Sequence, residues 1–162
     1  PTTTPTTTPP TTTYSLKMSI ALPADFKYVL ASLALLPFVN LFNDITVVNA
    51  RKLANVPLPA LFASPEEAAA DPLKQKFNCA QKSSLNFSEH IGSIVVSSLV
   101  TGYYAPRLSA ALTAAWALGR VIYHIGYSTG DPKKRSRGFI QFIADKSLAC
   151  SALFFSVKAL IQ

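Results

Sequence analysis

The chain has 162 residues, a formal charge of +7 and only 14% charged residues, where an average soluble domain has about 25%. Its apolar residues gather in runs instead of alternating, which argues against an ordinary soluble domain and for a membrane protein. The cations sit at the ends of those runs or inside them, with no basic–aromatic surface pattern, so no nucleic-acid partner is expected and the positive excess points to anionic lipid or an acidic small molecule.

Residues 1–13, PTTTPTTTPPTTT, are low complexity. Proline favours extended polyproline II and threonine supplies no core, so residues 1–17 read as a disordered tail ahead of one membrane domain over 18–162. Met18, the only methionine, is the expected start of translation; a Thr-rich glycosylated arm is the alternative. No basic segment precedes an apolar one in the manner of a signal peptide.

The first long apolar run covers 26–50, where about 20 such residues suffice to cross a bilayer as a helix. Pro37 is expected to kink it, and Asn40, Asn43 and Asp44 give its second half a polar face. Residues 51–76 mix prolines and charges and read as a loop. A second run covers 77–101, a third 108–128 and a fourth 138–161, joined by a short turn at TGYYAPR and a basic turn at TGDPKKRSR. These predict four transmembrane helices. The two loops that must share a side carry Arg51, Lys52, Lys74, Lys76, Lys133, Lys134, Arg135 and Arg137, against Lys17, Lys27, Arg107 and Lys158 on the other. The positive-inside rule then puts both loops in the cytosol and both termini outside it. Cys79 and Cys150 lie in apolar surroundings, are spaced wrongly for a zinc knuckle, and read as small buried hydrophobes.

The second run opens on QKSSLNFSEH, residues 81–90. Each ionisable group at membrane depth costs at least ~2.5 kcal/mol, so it must face a bundle interior, a subunit interface or a wet pocket. Lys82, Asn86, Glu89 and Ser93 follow the i, i+4, i+7, i+11 spacing of one helical face; Arg120, Tyr123 and Tyr127 follow i, i+3, i+7 on the third run. The two stripes could meet in one pocket. An internal Glu89–Arg120 ion pair is the purely structural alternative. A zwitterionic ligand with more than one carboxylate would use the whole set. Asp145 and Lys146 are neighbours about 100° apart on a helix, so they are expected to pair with other helices or subunits rather than with each other, and no function is assigned to them.

The stretch FNCAQKSSLNFSE followed by YYAPRLSAALTAAWALGRVIYHIGYSTGDPKKRSRG resembles the MAPEG family of membrane proteins in eicosanoid and glutathione metabolism, nearest to its microsomal glutathione S-transferase 3 branch. The resemblance runs from about Phe26 to the C-terminus and is strongest over 77–138. It implies an all-α four-helix membrane bundle assembled as a homotrimer in the endoplasmic reticulum, with glutathione bound as co-substrate between subunits near the cytosolic face. It further implies that Lys82 meets a glutathione carboxylate, Glu89 the ammonium, and Asn86, Arg120, Tyr123 and Tyr127 the rest of the pocket. Arg135 would hold the sulfur as thiolate with Tyr127 beside it, and Arg51 would reach the ligand across the interface, with Lys52 a weaker candidate. The pattern departs from the family at Lys82, where an arginine is usual, at Ser84, and at His90, which is counted among the pocket residues. Three functions remain open from sequence: a glutathione transferase or peroxidase acting on lipophilic electrophiles or lipid hydroperoxides, a glutathione-independent isomerase or cyclase using His90, His124, Glu89 and the tyrosines, and a non-catalytic lipid-binding protein. No metal is expected.

Overall fold

The computed structural model describes residues 21–161; the expectations on residues 1–17 and on Met18 lie outside them. Those described residues form six α-helices and one 3-10 turn and no strand. Helix α1 (Phe26–Leu33) and α2 (Leu35–Ala54) are one apolar rod with a break at Ala34. Pro37 explains the break. Its ring nitrogen cannot donate to the carbonyl of Leu33, and the ring crowds that carbonyl. Helix α2 ends at Asn55, which takes the left-handed conformation (φ 50°, ψ 40°), while Val56 returns its amide to the carbonyl of Arg51. Arg51 and Lys52 lie in this last turn, where cations complement the helix dipole.

The expected loop 51–76 is more ordered than its prolines suggested. It holds a short helix α3 (Pro65–Ala70), opened by a reciprocal capping box between Ser64 and Glu67. The Asn78 amide clasps the backbone of Ala63 in both directions, accepting from its N–H and donating to its C=O at 2.9 Å each. Helix α4 (Pro72–Tyr104) starts on an Asp71 cap, and one residue, Ala105, separates it from α5 (Pro106–Tyr127). Pro106 forces that single-residue joint, since the residue before a proline avoids helical backbone and Ala105 sits at φ −139°, ψ 70°. The 3-10 turn spans Pro132–Gly138 and α6 spans Ile140–Leu160.

Two contacts fix which ends lie together. Arg107, at the start of α5, donates to Asp25 at 2.7 Å, joining the head of α1 to the α4–α5 joint. Gly130 packs on Lys76, joining the basic turn to the start of α4. The two basic loops therefore share one end of the bundle.

The core is Leu36, Val39, Phe87, Ile94, Trp116, Ala117, Ala144 and Leu148. Beside it lies a buried hydroxyl ladder: Ser98 Oγ and Thr113 Oγ1 are 2.6 Å apart, Ser109 donates to Ser98 O, and Thr113 to Ser109 O. Small hydroxyl residues suit a membrane bundle, because lipid gives helices no hydrophobic reason to associate and close packing must do the work. The outside is apolar: Phe38, Leu118, Phe142 and Leu153 are all more than half exposed. Among the described residues, three stretches are long and apolar enough to cross a membrane, Phe26–Ala54, Pro106–Tyr127 and Ile140–Leu160. The expected second span lies within α4. That helix is about 50 Å long at 1.5 Å per residue, but the polar groups of 81–90 keep it out of this class. Two other expectations need correcting. Cys79 is buried as expected, but Cys150 is exposed, since its position on α6 faces outward. Asp145 does meet another helix, at His90 of α4 (3.3 Å), but it also pairs with Lys146 at 3.1 Å, because the long lysine side chain curls back across the angle between adjacent helix positions.

Gly138 is where the 3-10 turn crosses α5. A Cβ there would stand 2.5 Å from Gly119 O and 2.7 Å from the Tyr123 amide nitrogen. Both are backbone atoms and cannot rotate away. Gly138→Ala is therefore expected to lose about 1–3 kcal/mol of stability, as overpacked cores do, and to displace the turn that carries Arg135. Thermal unfolding in detergent beside Gly92→Ala, where an added Cβ meets nothing within 4 Å, would measure it. Equal midpoints for the two variants would refute the close-approach explanation.

Candidate functional site

A cavity of about 260 Å³ opens between α4, α5, the 3-10 turn and α6. Asn86 and His90 line it from α4, Trp116, Arg120 and Tyr123 from α5, Arg135 and Ser136 from the turn, and Phe139, Gln141, Phe142 and Asp145 from α6 and its cap. One wall is aromatic and the other carries charge.

Arg120 organises the charged wall. It is 2% exposed. Its Nη1 donates to Asn86 Oδ1 and Gln141 Oε1, both at 2.8 Å, and its Nη2 to Ser83 O at 3.0 Å. Its Nε is buried without a partner. The guanidinium lies 4.8 Å from the Tyr123 ring centroid and also faces Phe87 and Trp116. All these partners are neutral. The expected alternative, a Glu89–Arg120 ion pair, does not form among the described residues. No carboxylate comes within ion-pair distance of the buried charge; Glu89, through Asn86, and Asp145 act on it only from farther off.

Asn86 links the two expected stripes. Its Oδ1 accepts from Arg120, and its Nδ2 donates to Glu89 Oε2 at 3.1 Å. Glu89 also meets Lys82 at 3.5 Å, and both of those side chains are about half exposed on the outer face of α4. The cavity thus gathers Asn86, His90, Arg120, Tyr123 and Arg135, while Lys82 and Glu89 lie on the adjoining outer surface. Tyr127 is buried, packed edge-on to Tyr123 at 5.6 Å with Arg135 5.9 Å from its ring. Arg51 is elsewhere, donating to Ala60 O at 2.6 Å and stacking on Phe77 at 4.5 Å. Lys52 is exposed beside it. His124 is buried off the cavity, 2.9 Å from Ser83 Oγ, with its Nε2 unpartnered.

Arg135 reaches the cavity through backbone chemistry. The Asp131 side chain caps the 3-10 turn by accepting from the Lys133 amide at 3.0 Å. Gly126 lets the turn sit against α5, since any Cβ there would collide with Lys134 O. Among the described residues no carboxylate lies within ion-pair reach of Arg135. Gln141 and Asp145 were not assigned to the pocket from sequence. Their i, i+4 spacing, continued by the buried Leu148, marks an inward face of α6 and was the available signal.

Helices of this length and exterior, around a cavity with one aromatic and one charged wall, define an integral membrane protein. The MAPEG family model matches residues 29–154, most of the chain, and this protein belongs to that family. The family includes glutathione transferases and related enzymes.

Proposed function

We propose that the protein is a membrane glutathione transferase or peroxidase that acts on lipophilic electrophiles or lipid hydroperoxides through an activated glutathione thiolate. The observation that carries this is Arg120, a buried guanidinium on the cavity wall with only neutral partners. A desolvated cation with no carboxylate in direct contact favours an anionic ligand. Glutathione supplies two carboxylates and an ammonium, and the Glu89–Lys82 surface next to the cavity carries both complementary signs. Arg135, free of carboxylates, would hold the sulfur as its anion. The aromatic wall of Trp116, Phe139 and Phe142 suits the lipophilic partner. In this reading α4 is the fourth crossing, and the half-exposed Lys82, Glu89 and Arg51 find their remaining partners on neighbouring subunits of a homotrimer. The basic loops lie on the cytosolic side of the endoplasmic reticulum, and the chain belongs with the microsomal glutathione S-transferase 3 branch.

Glutathione titrated calorimetrically into the detergent-solubilised protein tests the reading directly. Glu89→Gln is expected to weaken binding by about tenfold, as a charged hydrogen bond worth ~1.5–3 kcal/mol is reduced to a neutral one. Lys82→Arg is expected to preserve or tighten it, because a guanidinium can grip a carboxylate with two bonds where an ammonium offers a point charge. No heat with either the wild type or Lys82→Arg would end the glutathione reading.

A further inference from the structure

A guanidinium can stabilise a thiolate but cannot accept the proton that leaves, because it never deprotonates in proteins. The thiol proton therefore leaves to solvent or to another side chain at the cavity. The amide oxygens of Asn86 and Gln141 are spent on Arg120, and the Ser136 hydroxyl donates to Lys133 O at 2.9 Å. His90 is different. It lines the cavity from α4, and its Nδ1 lies 3.3 Å from Asp145 Oδ2 on α6. The Asp145 side chain is only 7% exposed, and its carboxylate also takes Lys146 Nζ at 3.1 Å. The buried carboxylate stands at ion-pair distance from one imidazole nitrogen without an aligned hydrogen bond, so it leaves the other nitrogen open to accept and steadies by charge the imidazolium that forms.

We propose that His90 is the general base that takes the glutathione thiol proton, with Asp145 as its positioning residue; the proposal rests on the glutathione reading above. The S–H bond breaks, the proton passes to Nε2 of His90, and sulfur keeps the electron pair beside Arg135. With a hydroperoxide, the thiolate attacks the distal oxygen and the O–O bond breaks. The imidazolium returns its proton to the departing alkoxide, giving an alcohol and glutathione sulfenic acid. A second glutathione thiol reduces the sulfenic acid to the disulfide and water. With an aryl halide, halide leaves and the proton goes to solvent.

The charged and titratable groups around His90 are Asp145 and Lys146 on α6, Arg120 and Tyr123 on α5, Arg135 on the turn, and Glu89 and Lys82 on its own helix.

The test uses full-length protein in detergent with glutathione and cumene hydroperoxide, following bound-thiolate absorbance and turnover against pH, with affinity measured by calorimetry. His90→Gln is expected to lower turnover about 100-fold at pH 7, within the usual range for losing a general base, and to move the thiolate onset upward by a pH unit or more. Asp145→Asn is expected to shift the onset the same way by a smaller amount. In both, the thermal unfolding midpoint in detergent stays near wild type, which shows that the variants are folded, and turnover falls by far more than glutathione affinity. Glutathione binding with an unchanged thiolate profile in His90→Gln would overturn the dyad and leave the transferase reading intact. No glutathione binding by the wild type would overturn both.

Discussion

Replacing Arg120 by methionine is expected to abolish measurable glutathione binding and to destabilise the bundle. The side chain contributes in two ways, and they can be separated. For binding, Arg120 is the buried cation that an anionic ligand would neutralise, and truncating one partner of a buried, hydrogen-bonded charge pair costs about 2–5 kcal/mol, or ~30-fold and upward in affinity. For folding, methionine fills the volume between Phe87, Trp116 and Tyr123 but donates nothing. Asn86 Oδ1, Gln141 Oε1 and Ser83 O then lose their donor. A buried acceptor left unpaired costs ~1–3 kcal/mol. Removing the uncompensated cation offsets part of this loss. Arg120→Lys keeps the charge but cannot reach three oxygens on two helices at once; it should retain more affinity than stability. Thermal unfolding and calorimetry in the same detergent read the two effects. Undiminished glutathione affinity in Arg120→Met would show that the buried charge has another purpose.

Arg135→Ala is expected to lower turnover by ~10²–10³-fold while glutathione affinity changes by less than about tenfold. That is the range seen when one preorganised donor to a developing anion is removed. The split follows from position. Arg135 is exposed on the 3-10 turn at the cavity edge and forms no part of the Asn86–Arg120–Gln141 network. Its charge would therefore act on the sulfur rather than on the carboxylates that supply binding. Arg135→Lys should recover part of the rate, since a point charge in the same place still stabilises the anion. Loss of affinity in parallel with rate would move Arg135 from the sulfur to a carboxylate.

The two arginines also explain why a glycine-rich joint sits beside so much charge. Arg120 is fixed by packing inside the bundle. Arg135 is brought to the same cavity by a turn that crosses α5 at Gly119 and Gly138 and at Gly126, positions where backbone replaces side chain. Rigid backbone contact is a better guarantee of position than a long flexible side chain on a free loop.

Much of this molecule was legible in its sequence. Apolar runs at 26–50, 108–128 and 138–161 gave three membrane helices within a few residues of α1–α2, α5 and α6, because hydropathy depends on composition along one segment and needs no partner. Pro37 marked its kink, and Pro106 ended α4 later than the expected 101, since local backbone rules act within a few residues. The polar stripes on α4 and α5 were readable from spacing alone. Partnership was not. Nothing in spacing says that Asn86, rather than Glu89, meets Arg120, that Gln141 closes the network, or that Asp145 faces His90 across two helices while Lys146 curls back onto it. Those facts depend on helix rotation and crossing, which the Gly119–Gly138 approach and the Ser98–Thr113 ladder set through contacts far apart in sequence. The sequence alone therefore determined that charges enter the membrane-spanning region of this protein and on which helix faces; the tertiary structure decided which of them pair directly and left Arg120 with no carboxylate at ion-pair distance, because pairing is a property of distances between helices.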